Sequence, residues 1–255
     1  MKYTAKYFKD NLPEWKRRKD PLVGRLLFRP LSFYATAVCA NLGITANTVS
    51  YFSAFVAVIA SLLFLVDSFL ANLLAAILVN VWVFLDCIDG NLARNVRKQP
   101  FGPFADSLSS YILVGLMCTT MSVVVYRHGG YFMLKENFWI IVIGALASSA
   151  DTLMRLIYQK YKATLRELND EGISIIEEDT RTDNRKVDSL AVRIETEFGI
   201  DGILPILILI CTVANTLDLV IGYCFFYYGG ACLAMSLKYI RKAIKHTKDW
   251  ENSYK

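Results

Sequence analysis

Histidine is nearly absent from this chain: His128 and His246 are the only two in 255 residues, and they fall at opposite ends of the apolar runs described below. That separation excludes any site needing two histidines together, which sets aside histidine-based zinc and triad chemistry. The six cysteines, Cys39, Cys87, Cys118, Cys211, Cys224 and Cys232, lie in or beside apolar stretches and form no CxxC pair. They read as small buried hydrophobes. There is no aromatic-basic motif for RNA or DNA, no internal repeat and no low-complexity tract. Residues 1–30 lack an uninterrupted apolar core of signal-peptide kind, and this segment is expected to stay on the chain.

What the chain has is apolar length. It is 55% hydrophobic, and several runs reach about 20 residues, the length a helix needs to cross a bilayer core. The pattern predicts an all-α integral membrane protein with six transmembrane helices, at 47–66, 69–90, 104–126, 134–158, 200–217 and 219–238, the last two separated by a short turn at Leu217 and Asp218. With both termini inside, only Arg127 and Lys135 of the 28 Lys and Arg lie outside. This bias orients the termini and segments 91–103 and 159–199 towards the cytoplasm. The net charge of +5 then describes an inner face that attracts anionic lipid or an anionic substrate, not a nucleic-acid groove.

The expected organisation is an interfacial N-terminal segment at 1–46, a six-helix membrane domain at 47–246 with a cytoplasmic loop at 159–199, and a C-terminal tail at 247–255. The N-terminal segment mixes charge with Tyr7, Phe8, Trp15, Leu26, Leu27 and Phe28. It reads as an amphipathic collar in the headgroup layer, a substrate role for some of Lys16 to Lys19 being the other option. A short helix over 31–46 should end at Gly43, after which Thr45 or Asn47 can cap the first span. The loop at 159–199 has helical stretches at each end and is too short to bury a core of its own, so it is expected to pack on the inner face. Asp67 and Asp218, at outer turns, are expected to be solvated.

The stretch LDCIDGNLARNVRKQPFGPFADSLSSY, Leu85 to Tyr111, places Asp86, Asp89 and Asp106 where membrane helices should carry no charge. A charge in the membrane costs roughly 2.5–3.5 kcal/mol on insertion scales, and so must face a polar cavity, a partner or a cation. Positions 86, 89, 90, 93, 94 and 97 share one helical stripe. Gly90 and Ala93 leave a hollow beside the acids, and Arg94 at its rim offers a planar cation suited to phosphate. Gly102 and Pro103 turn the chain so that Asp106 can return to the same depth. Carboxylates without His or Cys favour a hard divalent cation, Mg²⁺ or Mn²⁺. Two such ions could stabilise the entering and leaving oxygens of a phosphoryl displacement.

These residues resemble the signature of the CDP-alcohol phosphotransferase family, DxxDGxxAR followed by GxxxDxxxD, read here as Asp86, Asp89, Gly90, Ala93, Arg94, a spacer of seven residues, Gly102 and Asp106. ITANTVS, Ile44 to Ser50, is similar to the family's ITPNxxT-like start of the first helix, with Ala46 in place of proline. The resemblance implies that Asp86, Asp89 and Asp106 bind the metals and that Gly90, Ala93, Arg94 and Gly102 contact a CDP-alcohol donor. An acceptor hydroxyl would attack the phosphorus nearer the alcohol and CMP would leave, in phospholipid or phosphopolyol synthesis. Membrane lipid, and a second copy of the chain in a homodimer, are the further partners considered.

The departure from the signature is Ser110, where the family carries a fourth aspartate that serves as general base. Asp151 and Arg155, an i, i+4 pair in the fourth span, read either as a structural ion pair or as a replacement base and an acceptor-phosphate contact. Three rivals stand beside the transferase. A transporter leaves the Gly, Ala and Arg spacing unexplained, and a prenyltransferase ordinarily needs a second Asp-rich motif. The third is a catalytically silent relative that binds a CDP-alcohol or a partner.

Overall fold

A computed structural model describes residues 2–173 and 190–253, and among these residues every regular element is helical. The collar comprises α1 (Ala5–Asp10), α2 (Glu14–Lys19), a π turn at Gly24–Phe28 and α3 (Arg29–Asn41). Thr4 caps α1, its hydroxyl accepting from the Tyr7 amide at 3.1 Å. Phe8, Leu12, Phe33 and Ala37 bury a small core between α1 and α3. Asn41 fastens the two ends, donating to the Tyr3 and Ala37 carbonyls at 2.7 Å each. On the opposite face Leu27, Leu31, Tyr34, Val38 and Leu42 are exposed at helical spacing, the stripe an interfacial helix presents to lipid. Gly43, at φ +74°, ends this region. Of the two expected caps Thr45 is the one used, its hydroxyl accepting from the Thr48 amide at 3.3 Å.

Among the described residues five helices are long and apolar enough to span a membrane: α4 (Ala46–Phe64), α5 (Phe69–Asn95), α6 (Gly102–His128), α7 (Trp139–Asp170) and α10 (Leu217–Ser253). The expected fifth span at 200–217 is shorter than the reading required. After α8 (Leu190–Phe198), the apolar helix α9 covers only Leu204–Ala214. At 1.5 Å per residue it reaches about 16 Å, roughly half of a hydrocarbon core. Its limits have local causes: Pro205 sits in the first turn, and Asn215 terminates the helix with a left-handed φ of 53°. The Asn80 amide secures the start of α9 by donating to the Pro205 carbonyl at 2.9 Å. The loop expected at 159–199 is helical to Asp170 and again from Leu190, and its centre at 174–189 lies outside the described residues.

Small residues let the helices approach. Ala57, Ala60, Ala75 and Ala76 are fully buried among α4 and α5. At Gly144 on α7 a Cβ would stand 2.6 Å from the Cys118 carbonyl of α6, so any side chain there would part the two helices. Asp218 corrects the expectation of solvation. It is 6% exposed, and its carboxylate accepts the backbone N–H groups of Tyr131 (2.9 Å), Phe132 (2.6 Å) and Met133 (3.1 Å) in the α6–α7 connection. Asp67 is exposed and pairs with His128 Nε2 at 2.9 Å.

Candidate active site

Asp86 and Asp89 stand in the last turns of α5, and Asp106 in the second turn of α6. A carboxylate oxygen from each lies within 4.8 Å of the others. Asp89 is buried, Asp86 half-buried and Asp106 exposed, so the group opens to one side. Ser50 of α4 donates to Asp89 Oδ2 at 2.6 Å and orients that carboxylate. The connection from α5 to α6 is held from α4 as well: the Asn47 backbone N–H donates to Gln99 Oε1 at 3.1 Å and its side-chain Nδ2 to the Pro100 carbonyl at 2.9 Å. Phe101, with a left-handed φ of 58°, and Pro103 then start α6 in the direction that brings Asp106 back.

The hollow expected beside the acids takes a specific form. Gly90 lies under the Arg94 guanidinium, whose nitrogens stand 2.9 and 3.0 Å from where a Cβ at position 90 would be. Arg94 Nη2 donates to Asn91 Oδ1 at 3.2 Å. Ala93 is half-buried, one turn along the helix from Asp89 and Gly90. Gly102 opens α6 in contact distance of Asn47, whose Oδ1 would be 3.4 Å from an added Cβ.

Ser110 does not join the carboxylates: its hydroxyl donates to the Ser107 carbonyl of its own helix at 3.1 Å. The neighbouring Ser109 faces the helix core, meeting Ser53 of α4 at 2.6 Å and Trp82 Nε1 of α5 at 2.7 Å. Asp151 and Arg155 form the ion pair anticipated as one alternative, Arg155 Nε to Asp151 Oδ1 at 2.9 Å. Asp151 is 1% exposed, and its Oδ2 has no hydrogen-bond partner among the described residues. The Arg155 guanidinium lies 5.8 Å from the ring centroid of Tyr111, the residue after Ser110, so this pair borders the second half of the signature.

Lys16 of α2, within the Lys16 to Lys19 run read as a possible substrate contact, lies within electrostatic reach of both Asp86 and Asp106. Two acids escaped the sequence reading: Asp201, in the turn before α9, is within the same reach. Asp20, at the end of α2, is 3% exposed and chelated by Arg29, Nε to Oδ2 and Nη2 to Oδ1 at 2.8 Å each. Burial alone would raise the Asp20 carboxyl, but the Arg29 hydrogen bonds and the Lys16 and Arg29 charges outweigh it and hold it below the usual carboxylate range. No local motif announces these residues. The one signal available was an acid among bases in KRRKDPLVGRLLFR, too common a pattern to name a partner.

The fold and site define an all-α membrane protein with a carboxylate cluster at the junction of two spans. Residues 43–177, more than half of the chain, match the CDP-alcohol phosphatidyltransferase family, and the chain belongs to it. That family consists of phosphotransferases acting on CDP-alcohols, typically with a divalent metal. Comparison with curated proteins gives no match.

Proposed function

We propose that this chain transfers the phosphoalcohol of a CDP-alcohol to an acceptor hydroxyl with release of CMP, at the cytoplasmic face of a membrane. The observation that carries the reading is the convergence of Asp86, Asp89 and Asp106 from two helices beside the Gly90–Ala93–Arg94 face. The donor set is all carboxylate, which fits Mg²⁺ or Mn²⁺ better than a softer ion. Asp86, Asp89 and Asp106 would hold the metal, two ions being the number the family signature implies. When bound, it would neutralise phosphate charge and stabilise the entering and leaving oxygens.

The protein's own groups supply the rest. Gly90 leaves room for the Arg94 guanidinium, which offers a fork to the diphosphate, and Ala93 presents little bulk to the nucleotide beside it. Arg155 faces the acceptor side beside Tyr111. A serine hydroxyl has no useful basicity at neutral pH, so Ser110 does not act as the general base. Asp151 can, because Arg155 engages Oδ1 and Oδ2 has no hydrogen-bond partner among the described residues. The acceptor O–H gives its proton to that oxygen, the acceptor oxygen attacks the phosphorus bearing the alcohol, and the bond from that phosphorus to the CMP oxygen breaks. The cytoplasmic placement rests on the Lys and Arg bias.

A second reading is favoured by one observation, the Ser110 hydroxyl bonded to its own helix where a carboxylate would serve as base. It is a family member that binds CDP-alcohols without turning them over. Purified protein with Mg²⁺ or Mn²⁺, a set of CDP-alcohol donors and a panel of hydroxyl acceptors separates the two, with CMP release as readout. Release that needs both metal and acceptor supports the transferase. Metal-dependent binding without release selects the silent reading, and neither binding nor release removes both.

A further inference from the structure

Asn91, the residue after the DxxDG turn of the signature, is fully buried and makes four side-chain hydrogen bonds. Its Oδ1 accepts from Arg94 Nη2 at 3.2 Å and from Arg29 Nη1 at 3.3 Å. Its Nδ2 donates to Ser32 Oγ at 3.2 Å and to Thr36 Oγ1 at 3.4 Å. An amide has two acceptor lone pairs and two donor hydrogens, so this set uses all of them. The orientation is forced from both sides. Guanidinium groups only donate, so the amide oxygen must face them. Ser32 and Thr36 spend their own hydrogens on the Arg29 and Ser32 carbonyls, at 2.9 and 2.6 Å, and therefore accept from Asn91.

Two cations sharing one neutral oxygen repel each other, and the collar supplies the compensation. Asp20 chelates Arg29 and also meets Lys16 Nζ at 3.3 Å. A chain of contacts, buried at its centre, therefore runs from Lys16 through Asp20, Arg29 and Asn91 to Arg94. Water cannot replace its links, because Asp20, Arg29 and Asn91 are 3%, 6% and 0% exposed.

We infer that Asn91 is a positioning residue for Arg94, and that through it the Asp20–Arg29 pair makes the N-terminal collar part of the nucleotide-diphosphate site. The inference deepens the proposed function and rests on its assignment of Arg94 to the donor. Arg94 is exposed and otherwise free to sample many rotamers. Held by Asn91 at i, i+3 spacing across Gly90, it stays at the rim of the acidic cluster. The collar thus does more than anchor to lipid, since losing its charge pair would let Arg29 and then Arg94 drift.

The test uses the full-length protein in detergent and CDP with Mg²⁺ as probe, because cytidine diphosphate is common to every donor. Binding is read by calorimetry, and steady-state CMP release supplies KM and kcat. Asn91→Leu keeps the side-chain shape and removes the bonds. A hydrogen bond to a charged group is worth enough to raise both the CDP dissociation constant and the donor KM about tenfold, with kcat changed less than about threefold. Asn91→Asp retains an acceptor for both guanidiniums and, once Ser32 and Thr36 turn their hydrogens from the helix carbonyls to its second oxygen, should restore binding to within about threefold of wild type. Adding Arg94→Ala to Asn91→Leu should cost little more than Arg94→Ala alone. Should Asn91→Leu fail to fold, the paired change Asp20→Asn with Arg29→Gln carries the test and is expected to weaken CDP binding in the same direction. Equal loss in the Leu and Asp variants, additive losses with Arg94→Ala, or a fall in kcat at unchanged KM overturns the inference. So does unchanged CDP binding in the paired collar variant. A wild type that binds no CDP overturns the functional reading and the inference together.

Discussion

At the scale of single residues, the site is decided by which side chains are small and which are acidic. Ala93 is half-buried beside the carboxylates, and a leucine there would fill the space proposed for the nucleotide. Ala93→Leu is therefore expected to abolish donor binding by calorimetry while leaving the thermal unfolding midpoint close to wild type. Normal binding in that variant would move the nucleotide elsewhere. Ser110 carries the second expectation. Its hydroxyl is committed to the Ser107 carbonyl, and it stands four residues after Asp106 on the same helix face. General-base help is typically worth about 10²–10⁴ in rate, so were the base lacking, as in the silent reading, Ser110→Asp would raise metal-dependent CMP release by at least about tenfold. If Asp151 already serves as the base, no gain will be seen and Asp151→Asn will remove the wild-type rate instead.

At the scale of elements, the two ends of the bundle are held by different devices. At the end that carries the acidic cluster Asn47 and Ser50, both in the first turns of α4, hold the α5–α6 turn and Asp89 respectively. At the other end the α6–α7 connection is folded around Asp218 at the start of α10, which satisfies three of its backbone N–H groups. Replacing that carboxylate leaves three donors unpaired near the protein interior. Asp218→Ala should cost on the order of 2–4 kcal/mol, read as a lower unfolding midpoint in detergent. An unchanged midpoint would mean that water or lipid headgroups satisfy the loop equally well. The length of α9 belongs to this scale too. Its 11 residues span about half the hydrocarbon core, and the turn preceding it is what carries Asp201 to the acidic cluster.

At the scale of the whole molecule, the collar and the bundle are joined by charge as well as by apolar packing. Tyr7 Oη reaches the Asn95 carbonyl at 3.2 Å, the Leu22 amide donates to Glu197 at 2.9 Å, and Arg29 reaches Asn91. Because the folded Asp20 carboxyl is held below its ordinary value, its contribution to docking the collar is fully present above the unfolded value of about 3.9 and is lost as pH falls through the lower, folded value. Hydrogen exchange over the collar should therefore be flat from pH 8 to about 5 after correction for intrinsic rates, and rise only below about 4. In Asp20→Asn the acid-dependent rise should shrink and the exchange at neutral pH should increase. A collar that loosens between pH 8 and 6 would point to a different titrating group.

The sequence by itself determined the membrane class, the positions of most spans and the acids of the site, because each of these is written in local order. Hydrophobic length announces a span, and the stripe 86, 89, 90, 93, 94 follows from helical repeat alone. The turn at Gly102 and Pro103 was enough to return Asp106 to the cluster. Only the tertiary structure decided who holds these residues. Ser50 meets Asp89 across 39 positions, Arg29 meets Asn91 across 62, and Tyr131 meets Asp218 across 87. A serine, an asparagine or an aspartate offers the same hydrogen-bonding atoms to any neighbour, and its own flanking residues do not say which helix will pack against it. The choice between solvent and partner, as at Asp218, and between a free guanidinium and a fixed one, as at Arg94, is made when the helices close.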